Sequence, residues 1–290
     1  MKDARVVFVH ALSPLHAGIG QGVGTVDLPI ARERATGIPY LPGSSLKGSL
    51  RDRAKERGFS NDEIKAFFGP ETSSAHEHAG SLVVGDARLL LFPVRSLAGV
   101  FAYVTSPFIL KRLKQDLEVA EVKDPARIPE EIPAPSAMND AYAGQASILF
   151  AEEGKVYLED LDLKAKPYEA AQKWEDFLRH STQAPVQGRL LIVHDDLMSF
   201  LLETATEVVA RVRIDDEKKT VATGALWYEE HLPAESLLYS LFHLAPVAAN
   251  GTVRKGDWDQ VQRLLSGVIQ LGGKASVGRG LCSLSWGFRP

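Results

Sequence analysis

Two stretches of the chain carry residue types that move protons or hold metal ions. His16 and Asp27 border a loop with four alternating glycines, and Glu229, Glu230 and His231 are consecutive at the end of a predicted hairpin. A histidine and carboxylates could deprotonate a hydroxyl or hold a divalent ion. Asp27 alone is a weak base, since the reference pKa of aspartate is about 3.9, so a bound metal or a raised pKa would have to compensate. Taken singly, each residue is more often a surface carboxylate or a capping histidine.

A second group of polar residues surrounds the predicted start of a helix. Residues 43–51 read Gly-Ser-Ser-Leu-Lys-Gly-Ser-Leu-Arg, and Ser44 is predicted to cap the helix. A helix N-terminus offers unpaired N–H groups, to which Ser44 and Ser45 add hydroxyls. Lys47 and Arg51 add two cations one turn apart. This arrangement suits a chain of phosphates better than a single carboxylate; the alternative is an ordinary amphipathic helix with solvated basic residues.

A third group lies near the C-terminus, where residues 272–280 read Gly-Gly-Lys-Ala-Ser-Val-Gly-Arg-Gly. Glycines such as Gly273 and Gly278 let the backbone approach a ligand closely, and Lys274 and Arg279 supply positive charge. The segment is not a Walker loop, because the Gly-Lys-Ser/Thr ending is absent. The alternative is a tight connection between a helix and a strand.

The composition is that of a globular protein with unevenly distributed charge. Of 290 residues, 45% are hydrophobic and 24% charged, which argues against a largely disordered chain. The single cysteine, Cys282, excludes an intramolecular disulfide and argues against a cysteine-built zinc site. The net charge is −4, yet residues 1–57 and 251–290 each carry +4. The two basic ends could meet in the fold and face a polyanion, although solvated surfaces would explain them equally well.

No stretch of the sequence reaches the roughly 18 apolar residues that a membrane helix needs. The first residues also lack the small-residue cleavage pattern of a secretory signal. The sequence therefore predicts a soluble, cytoplasmic protein with no membrane partner.

The elements that must position these groups alternate between strands and helices. We predict strands at residues 4–12, 38–41, 81–92, 99–105, 206–214, 220–228, 236–243 and 281–288, and helices at 44–57, 62–68, 107–117, 168–180, 196–205 and 257–270. The strands at 206–214 and 220–228 form a long hairpin with Arg211 and Arg213 on one face. Residues 118–146, rich in proline and charge, are interpreted as an irregular insertion. Together the elements indicate an α+β fold with a sheet covered by helices.

Two smaller features complete the local predictions. Asn61 is predicted to cap the second helix. His76, Glu77 and His78 could share a metal ion, but their Ser-, Ala- and Gly-rich surroundings predict an exposed loop.

In this order, the three groups resemble the RAMP superfamily of CRISPR-associated proteins, in particular the backbone subunits of type III-B (Cmr) effector complexes. The resemblance covers nearly the whole chain. Its most specific pieces are His16-Ala17-Gly18, Val26-Asp27-Leu28-Pro29-Ile30, Arg32-Glu33, Ile38 to Gly48, Arg51, Ala225 to Glu230 and Gly272 to Gly280.

The resemblance implies a single domain: a modified ferredoxin-like, or RNA-recognition-type, palm with a β-hairpin thumb and inserted segments. The palm would comprise residues of about 1–105 and 236–290, the insertions and helical part about 106–205, and the thumb about 206–230. Copies of the chain, with other Cmr subunits, would stack along a guide RNA as a helical filament. The thumb would wedge into the guide–target duplex at regular intervals and displace a base pair.

The resemblance also implies the site residues. Asp27 matches the family's catalytic aspartate, and His16, Glu229 and Glu230 fall where the family has supporting active-site residues, while His231 is left out of the implied site. A divalent ion, Mg²⁺ or Mn²⁺, near Asp27 would activate the ribose 2′-OH, so that each copy cuts complementary target RNA. The residues implied to hold guide-RNA phosphates are Ser44, Ser45, Lys47, Arg51, Gly273, Lys274, Gly278 and Arg279.

Two other functions stay open. The same filament could be a scaffold that binds guide RNA without cutting the target. Without the resemblance, the two glycine-rich loops would also suit an enzyme that binds a small phosphate-bearing ligand.

Overall fold

The computed structural model describes residues 4–22, 24–70, 79–121, 128–151, 154–215, 217, 219–249, 252–254 and 256–287. Its strands are β1 Ala4–Ala11, β2 Tyr40–Leu41, β3 Leu82–Val84, β4 Ala87–Arg95, β5 Phe101–Thr105, β6 Asp140–Ala143, β7 Lys155–Leu158, β8 Leu161–Pro167, β9 Leu190–Val193, β10 Glu207–Ile214, β11 Val221–His231, β12 Leu237–Leu244, β13 Val247–Ala249, β14 Thr252–Arg254, β15 Val268–Gln270 and β16 Leu281–Trp286. Its helices are α1 Gly43–Glu56, α2 Asn61–Phe68, α3 Pro107–Val119, α4 Glu169–Ser181, α5 Asp195–Thr204 and α6 Trp258–Leu265. Within the described ranges, no helix combines the length and apolarity needed to span a bilayer. His76, Glu77 and His78 lie outside the described residues.

One large mixed sheet organises the molecule, in the order β15-β16-β1-β12-β4-β5-β9-β6-β8-β7. Strand β1 lies between β12 and β16 and is antiparallel to both. Because both of its faces are covered, its residues are apolar almost without interruption, as the burial of the neighbours Val7 and Phe8 on opposite faces shows. The chain leaves β1 toward the loop that carries His16 and Asp27, so this rigid strand fixes where that loop begins.

Helix α1 buries the stripe that its spacing predicts. Leu46, Leu50 and Ala54 are completely buried, as expected for apolar residues that recur every four positions. Arg53 is also buried, and its guanidinium donates to the carbonyls of Ser266 and Val268. Helix α1 is therefore fastened to the segment that enters β15.

The middle of the chain is more regular than predicted. Residues 118–146 were expected to be irregular, but Asp140–Ala143 form β6, which pairs in parallel with β8 and antiparallel with β9. Strand β9 in turn pairs in parallel with β5 and so extends the large sheet. Residues 122–127 of the predicted insertion lie outside the described part of the chain.

The predicted hairpin is present as β10 and β11, which pair only with each other among the described strands. One face is apolar although it is exposed. Its large side chains, each 41–54% exposed, are Val208, Val212, Ile214, Val221, Leu226 and Tyr228. The opposite face carries Arg211 beside its cross-strand partner Trp227.

Two predicted helix caps are wrong. Helix α1 begins at Gly43 with Pro42 as its N-cap residue, so Ser44 lies inside the first turn; the Gly43 amide donates instead to Asp86 over 2.7 Å. The second helix is capped by Ser60, not Asn61, because Ser60 and Glu63 form a reciprocal capping box.

The helix predicted at residues 257–270 is shorter than expected. Helix α6 ends at Leu265, after which Gly267 has a φ of +77° and residues 268–270 form β15 on the edge of β16. The β-branched pair Val268-Ile269 suits a strand, and its partner β16 comes later in the chain.

Candidate active site

The loop after β1 is fastened between the hairpin and the C-terminal glycine-rich loop. His16 forms an isolated strand-type pair with Gly273, and Leu28 pairs in parallel with Glu229 of β11. The first and third groups predicted from the sequence therefore meet at the base of the hairpin.

Asp27 lies on the outer edge of β11. Its Oδ2 accepts a hydrogen bond from the Tyr228 amide over 2.7 Å, while the Leu28 amide donates to the Tyr228 carbonyl over 3.0 Å. The Glu230 amide donates to the Leu28 carbonyl over 3.0 Å. The Asp27 side chain is exposed. Its carboxylate is thus both fixed by the backbone and open to a ligand.

Glu230 holds the segment that follows Asp27. The carboxylate is 6% exposed and accepts from the Ile30 amide at 3.1 Å, the Arg32 guanidinium at 2.6 Å and the Thr206 hydroxyl at 3.0 Å. Arg32 also donates to the Leu202 carbonyl at the end of α5. With these donors around both oxygens, Glu230 serves the structure and does not face a substrate.

Glu229 collects three donors on the opposite side of β11. It is 2% exposed; its Oε1 accepts from Lys274 Nζ at 2.6 Å and Trp227 Nε1 at 2.8 Å, and its Oε2 lies 3.4 Å from Arg211 Nε. Burial raises the pKa of Glu229, but these hydrogen bonds and the charges of Lys274 and Arg211 outweigh it and lower the pKa to about 2. Glu229 is therefore ionised at neutral pH and is no general base.

His16 packs beneath the loop. It is 6% exposed, and its Nδ1 donates to the Glu230 carbonyl over 2.8 Å, an acceptor that requires the proton on Nδ1. A Cβ at Gly18 would collide with Nε2 of the ring, so this position needs glycine for close packing. His16 thus ties the start of the loop to β11.

His231 completes the buried cluster although the resemblance left it out. It is fully buried, with its ring centroid 5.3 Å from that of His16 and its Nε2 3.8 Å from Glu229 Oε2. Burial, with the neighbouring charge of Arg279, lowers the pKa of His231 to about 4. The ring is therefore neutral at pH 7.

The C-terminal loop contacts β10 and the loop after β1. Arg279 forms an ion pair with Glu207 at 3.1 Å, and the Gly280 amide donates to the Pro14 carbonyl at 2.8 Å. Lys274 has a φ of +66°, a left-handed conformation that side chains rarely adopt. The loop therefore presents Lys274 to Glu229 in a fixed and strained geometry.

Of the residues predicted at the start of α1, Ser44 and Lys47 line a different groove. Ser44 and Ser45 are exposed, while Lys47 is half-buried beside Gly69 and Val84. Burial, followed by the charge of Arg51, lowers the pKa of Lys47. The Arg51 guanidinium donates to the Pro70 carbonyl at 3.1 Å. In the described ranges, no hydrogen bond or ion pair joins this groove to Asp27.

The described residues contain no preformed metal centre, since no three His, Cys, Asp or Glu side chains come together to hold an ion. Nδ1 of His16 and both carboxylate oxygens of Glu229 are already bonded to protein partners. Asp27 is the member of the cluster with an exposed carboxylate.

Three functional contacts were not predicted as such: those of Arg32, Trp227 and Arg211. Arg32 and Trp227 belong to the motifs named above, but their contacts were not predicted. Arg32 bonds to Glu230, about 200 positions away, whereas Trp227 bonds to Glu229, two positions away. Arg211 was placed on the correct face of the hairpin, and only the fold shows that this face meets Glu229.

A separate groove of about 2180 Å³ runs along β1 and β16. It includes Trp258 and Trp286, whose rings are 5.5 Å apart, and Arg5, whose guanidinium is 4.5 Å from the Trp258 ring. None of the residues assigned above to the Asp27 cluster lines it.

The chain is similar to known proteins along nearly its whole length. The model of the RAMP superfamily matches residues 8–283. A Pyrococcus furiosus protein named CRISPR system Cmr endoribonuclease Cmr4 is 40% identical over 288 residues, which cover 97% of this chain and 95% of the relative.

Solved structures show the same fold. Oligomeric Cmr4 from Pyrococcus furiosus superposes with a TM-score of 0.76 and 30% identity, over 100% of both chains. A chain of the type III-B Cmr-beta complex bound to cognate target RNA gives 0.75 over 98% of this chain and 96% of that chain, and at 24% identity it supports the fold alone. The chain belongs to the RAMP superfamily and, within it, to the proteins named Cmr4.

Proposed function

We propose that this protein is the backbone subunit of a type III-B CRISPR effector complex, which lies along a guide RNA and cleaves complementary single-stranded target RNA at regular intervals. The observation that carries the proposal is the exposed carboxylate of Asp27, fixed by the Tyr228 amide where the loop meets the hairpin. The 40% identity to a relative named an endoribonuclease supports RNA cleavage as the reaction.

In this proposal Asp27 accepts the proton of a ribose 2′-OH. The 2′-oxygen attacks the adjacent phosphorus in line, the bond from phosphorus to O5′ breaks, and O5′ takes a proton from water. The products are a 2′,3′-cyclic phosphate and a 5′-OH. DNA is not cut because it lacks the 2′-OH.

Glu229, Glu230 and His16 act as positioning residues in this reaction, although the resemblance placed them in the active site itself. Glu229 is bonded to Lys274, Glu230 to Arg32, and Nδ1 of His16 to the Glu230 carbonyl. They keep the Asp27 loop, β11 and the C-terminal loop in one arrangement. Lys274, bonded to Glu229, adds positive charge close to the reacting phosphate.

A divalent ion, Mg²⁺ or Mn²⁺, is part of the proposal. Mg²⁺ keeps several waters and takes its other ligands from one or two carboxylates and from substrate phosphates, which fits a single exposed Asp27. When bound, the ion would supply positive charge beside the phosphate and favour loss of the 2′-OH proton. Asp27 would hold it together with RNA oxygens.

The palm that carries this site is ferredoxin-like in the proposal. What supports it is the strand order β16-β1-β12-β4, all antiparallel, with α1 in the connection between β1 and β4 and α6 in the connection between β12 and β16. The hairpin of β10 and β11 would be the thumb. Its apolar exposed face suits contact with nucleobases or with a neighbouring copy.

Guide RNA would be held at two places, one apart from the cleavage site and one beside it. Ser44, Ser45, Lys47 and Arg51 would contact its phosphates in the groove at the start of α1, and the C-terminal loop would contribute Gly273, Lys274, Gly278 and Arg279. Further copies of the chain and other Cmr subunits complete the complex, in the cytoplasm. The relative solved as an oligomer supports self-association.

The test is to purify the complex with its RNA and to add complementary RNA with Mg²⁺. The proposal expects a co-purified guide RNA and products of regular spacing that end in a 2′,3′-cyclic phosphate. Target binding without products would favour the scaffold alternative. Absence of co-purified RNA would favour an enzyme for a small phosphate ligand.

A further inference from the structure

Trp227 lies on the face of the hairpin that looks toward the buried cluster. Trp227 and Glu229 are two residues apart on β11, so their side chains share one face of the strand. Arg211, the cross-strand partner of Trp227, lies on that same face. The apolar side chains of the hairpin, including Tyr228, occupy the opposite face.

The indole of Trp227 is fixed at one edge. Its Nε1 donates to Glu229 Oε1 over 2.8 Å, and this oxygen also accepts from Lys274 at 2.6 Å. Because Glu229 is ionised and 2% exposed, the hydrogen bond is charge-assisted and shielded from water. The ring orientation is therefore set before any ligand arrives.

Part of Trp227 remains exposed. Trp227 is only half-buried, and no aromatic ring or guanidinium stacks on it in the part of the chain that the structure describes. The other half-buried tryptophans differ: Trp258 and Trp286 contact each other and Arg5. A rigid and partly open aromatic face suits a planar ligand.

Trp227 is also next to the proposed cleavage position. The Tyr228 amide donates to Asp27, and the Tyr228 carbonyl accepts from Leu28, so Asp27 runs along the edge of β11 at this level. A nucleotide with its ribose at Asp27 carries its base within reach of the neighbouring residue of the strand. The cations Lys274 and Arg211 flank the same face and suit the phosphates on either side.

We propose that the indole of Trp227 is a stacking platform for one nucleobase of the target RNA beside the cleaved bond. The inference rests on the proposed function, because it needs a target strand at Asp27. The platform accepts any base, since every base has a π-face. It would hold the nucleotide so that its 2′-oxygen stays in line with the phosphorus.

The test compares Trp227→Phe with Trp227→Leu in the assembled complex. Both variants lose the indole N–H that bonds to Glu229, so the difference between them reports the aromatic ring. We expect Trp227→Leu to cut intact target about 5-fold to 150-fold more slowly than Trp227→Phe, the range for loss of one base stack. Equal rates for the two variants would overturn the inference. Trp258→Leu, which alters the separate groove, is the matched control and should cut like the unmodified complex.

A target with an abasic site beside the cleaved bond removes the other partner of the proposed stack. We expect this target to slow the unmodified complex at one register, and to slow Trp227→Leu no further. If the rate losses caused by Trp227→Leu and by the abasic site multiply at every cleavage position, the residue and the base act separately. This result would also overturn the inference. Failure of the unmodified complex to cut intact target would instead refute the proposed function, so the two failures are distinguishable.

Discussion

Lys274 donates to the carboxylate of Glu229 over 2.6 Å, from a position 45 residues further along the chain. This ion pair joins the C-terminal loop to the hairpin at the level of the Asp27 loop. Glu229 is almost completely buried. The pair connects the C-terminal loop, the hairpin and the Asp27 loop, and these three segments share no strand of the large sheet. It explains why a lysine and a glutamate far apart in sequence belong to one site.

Replacing Glu229 by glutamine should destabilise the protein in a pH-dependent way. The lost charge weakens the bonds to Lys274 and Trp227 and should lower the free energy of unfolding by about 1.5–3 kcal/mol, the range for hydrogen bonds to a charged group. The pKa of Glu229 is lowered to about 2, so its contribution is complete above pH 4.5 and is lost as the pH falls toward 2. Denaturant unfolding from pH 7 to pH 3 should show the difference shrinking in acid. A constant difference would contradict the assignment.

His231 should make the protein less stable as the pH falls below 6.5. Its pKa is lowered to about 4, so between these values the unfolded chain binds a proton that the folded one refuses. The loss should approach roughly 3 kcal/mol at pH 4, since one pKa unit is worth about 1.4 kcal/mol. His231→Leu should flatten the profile measured by denaturant unfolding.

Several charged groups surround His231 and share in this profile. The charges of Arg279 and His16 oppose its protonation, while the backbone of Glu207 and the charge of Glu229 favour it. The control is His180→Leu, which removes an exposed histidine of α4 and should leave the slope unchanged. An unchanged slope in His231→Leu would mean that this ring is not the group responsible.

The sequence predicts the regular elements well where one face is buried. The buried stripe of Leu46, Leu50 and Ala54 and the buried strand β1 are confirmed. Buried positions are occupied by apolar residues at the period of the element, so the sequence shows them directly. The caps of α1 and α2 were wrong because Asp86 caps α1 from a distant segment, and because Ser60 competes with Asn61 for the same end. Strands as short as β6 carry too few residues to show a period.

The candidate site was predictable in its members but not in their roles. His16, Asp27 and Glu229 stand out by residue type, and the fold brings them together. The Glu229 carboxylate is bonded to Lys274, Trp227 and Arg211. This arrangement depends on long-range pairing that no local pattern contains. The groove at Lys47 and the C-terminal loop were both implied to hold guide-RNA phosphates, and these RNA contacts stay a prediction.

Gly280 should tolerate alanine much less well than Gly278. Both have φ near +75°, so alanine is strained at either position by roughly 1–2 kcal/mol. At Gly280 a Cβ would also collide with the Leu271 carbonyl, whereas at Gly278 it meets nothing within 4 Å. Thermal unfolding should therefore show a clearly larger loss for Gly280→Ala. Similar losses would mean that the C-terminal loop rearranges freely.

Lys47→Ala should weaken RNA binding for every guide sequence alike. A cation that contacts a phosphate reads no base, so the slope of log affinity against log salt should flatten by about one unit. Lys55→Ala, on the exposed side of the same helix where Lys55 pairs with Asp52, is the control and should keep the slope. A loss that depends on guide sequence would contradict the phosphate contact.

In the proposed function, Asp27 performs the cleavage while the rest of the cluster holds it in place. The most direct measurement is cleavage of complementary RNA by complexes that contain Asp27→Ala, with guide and target binding measured in parallel. We expect the regularly spaced products to disappear while both binding affinities stay within a few-fold of the unmodified complex. Products at the normal rate and spacing from Asp27→Ala would contradict it.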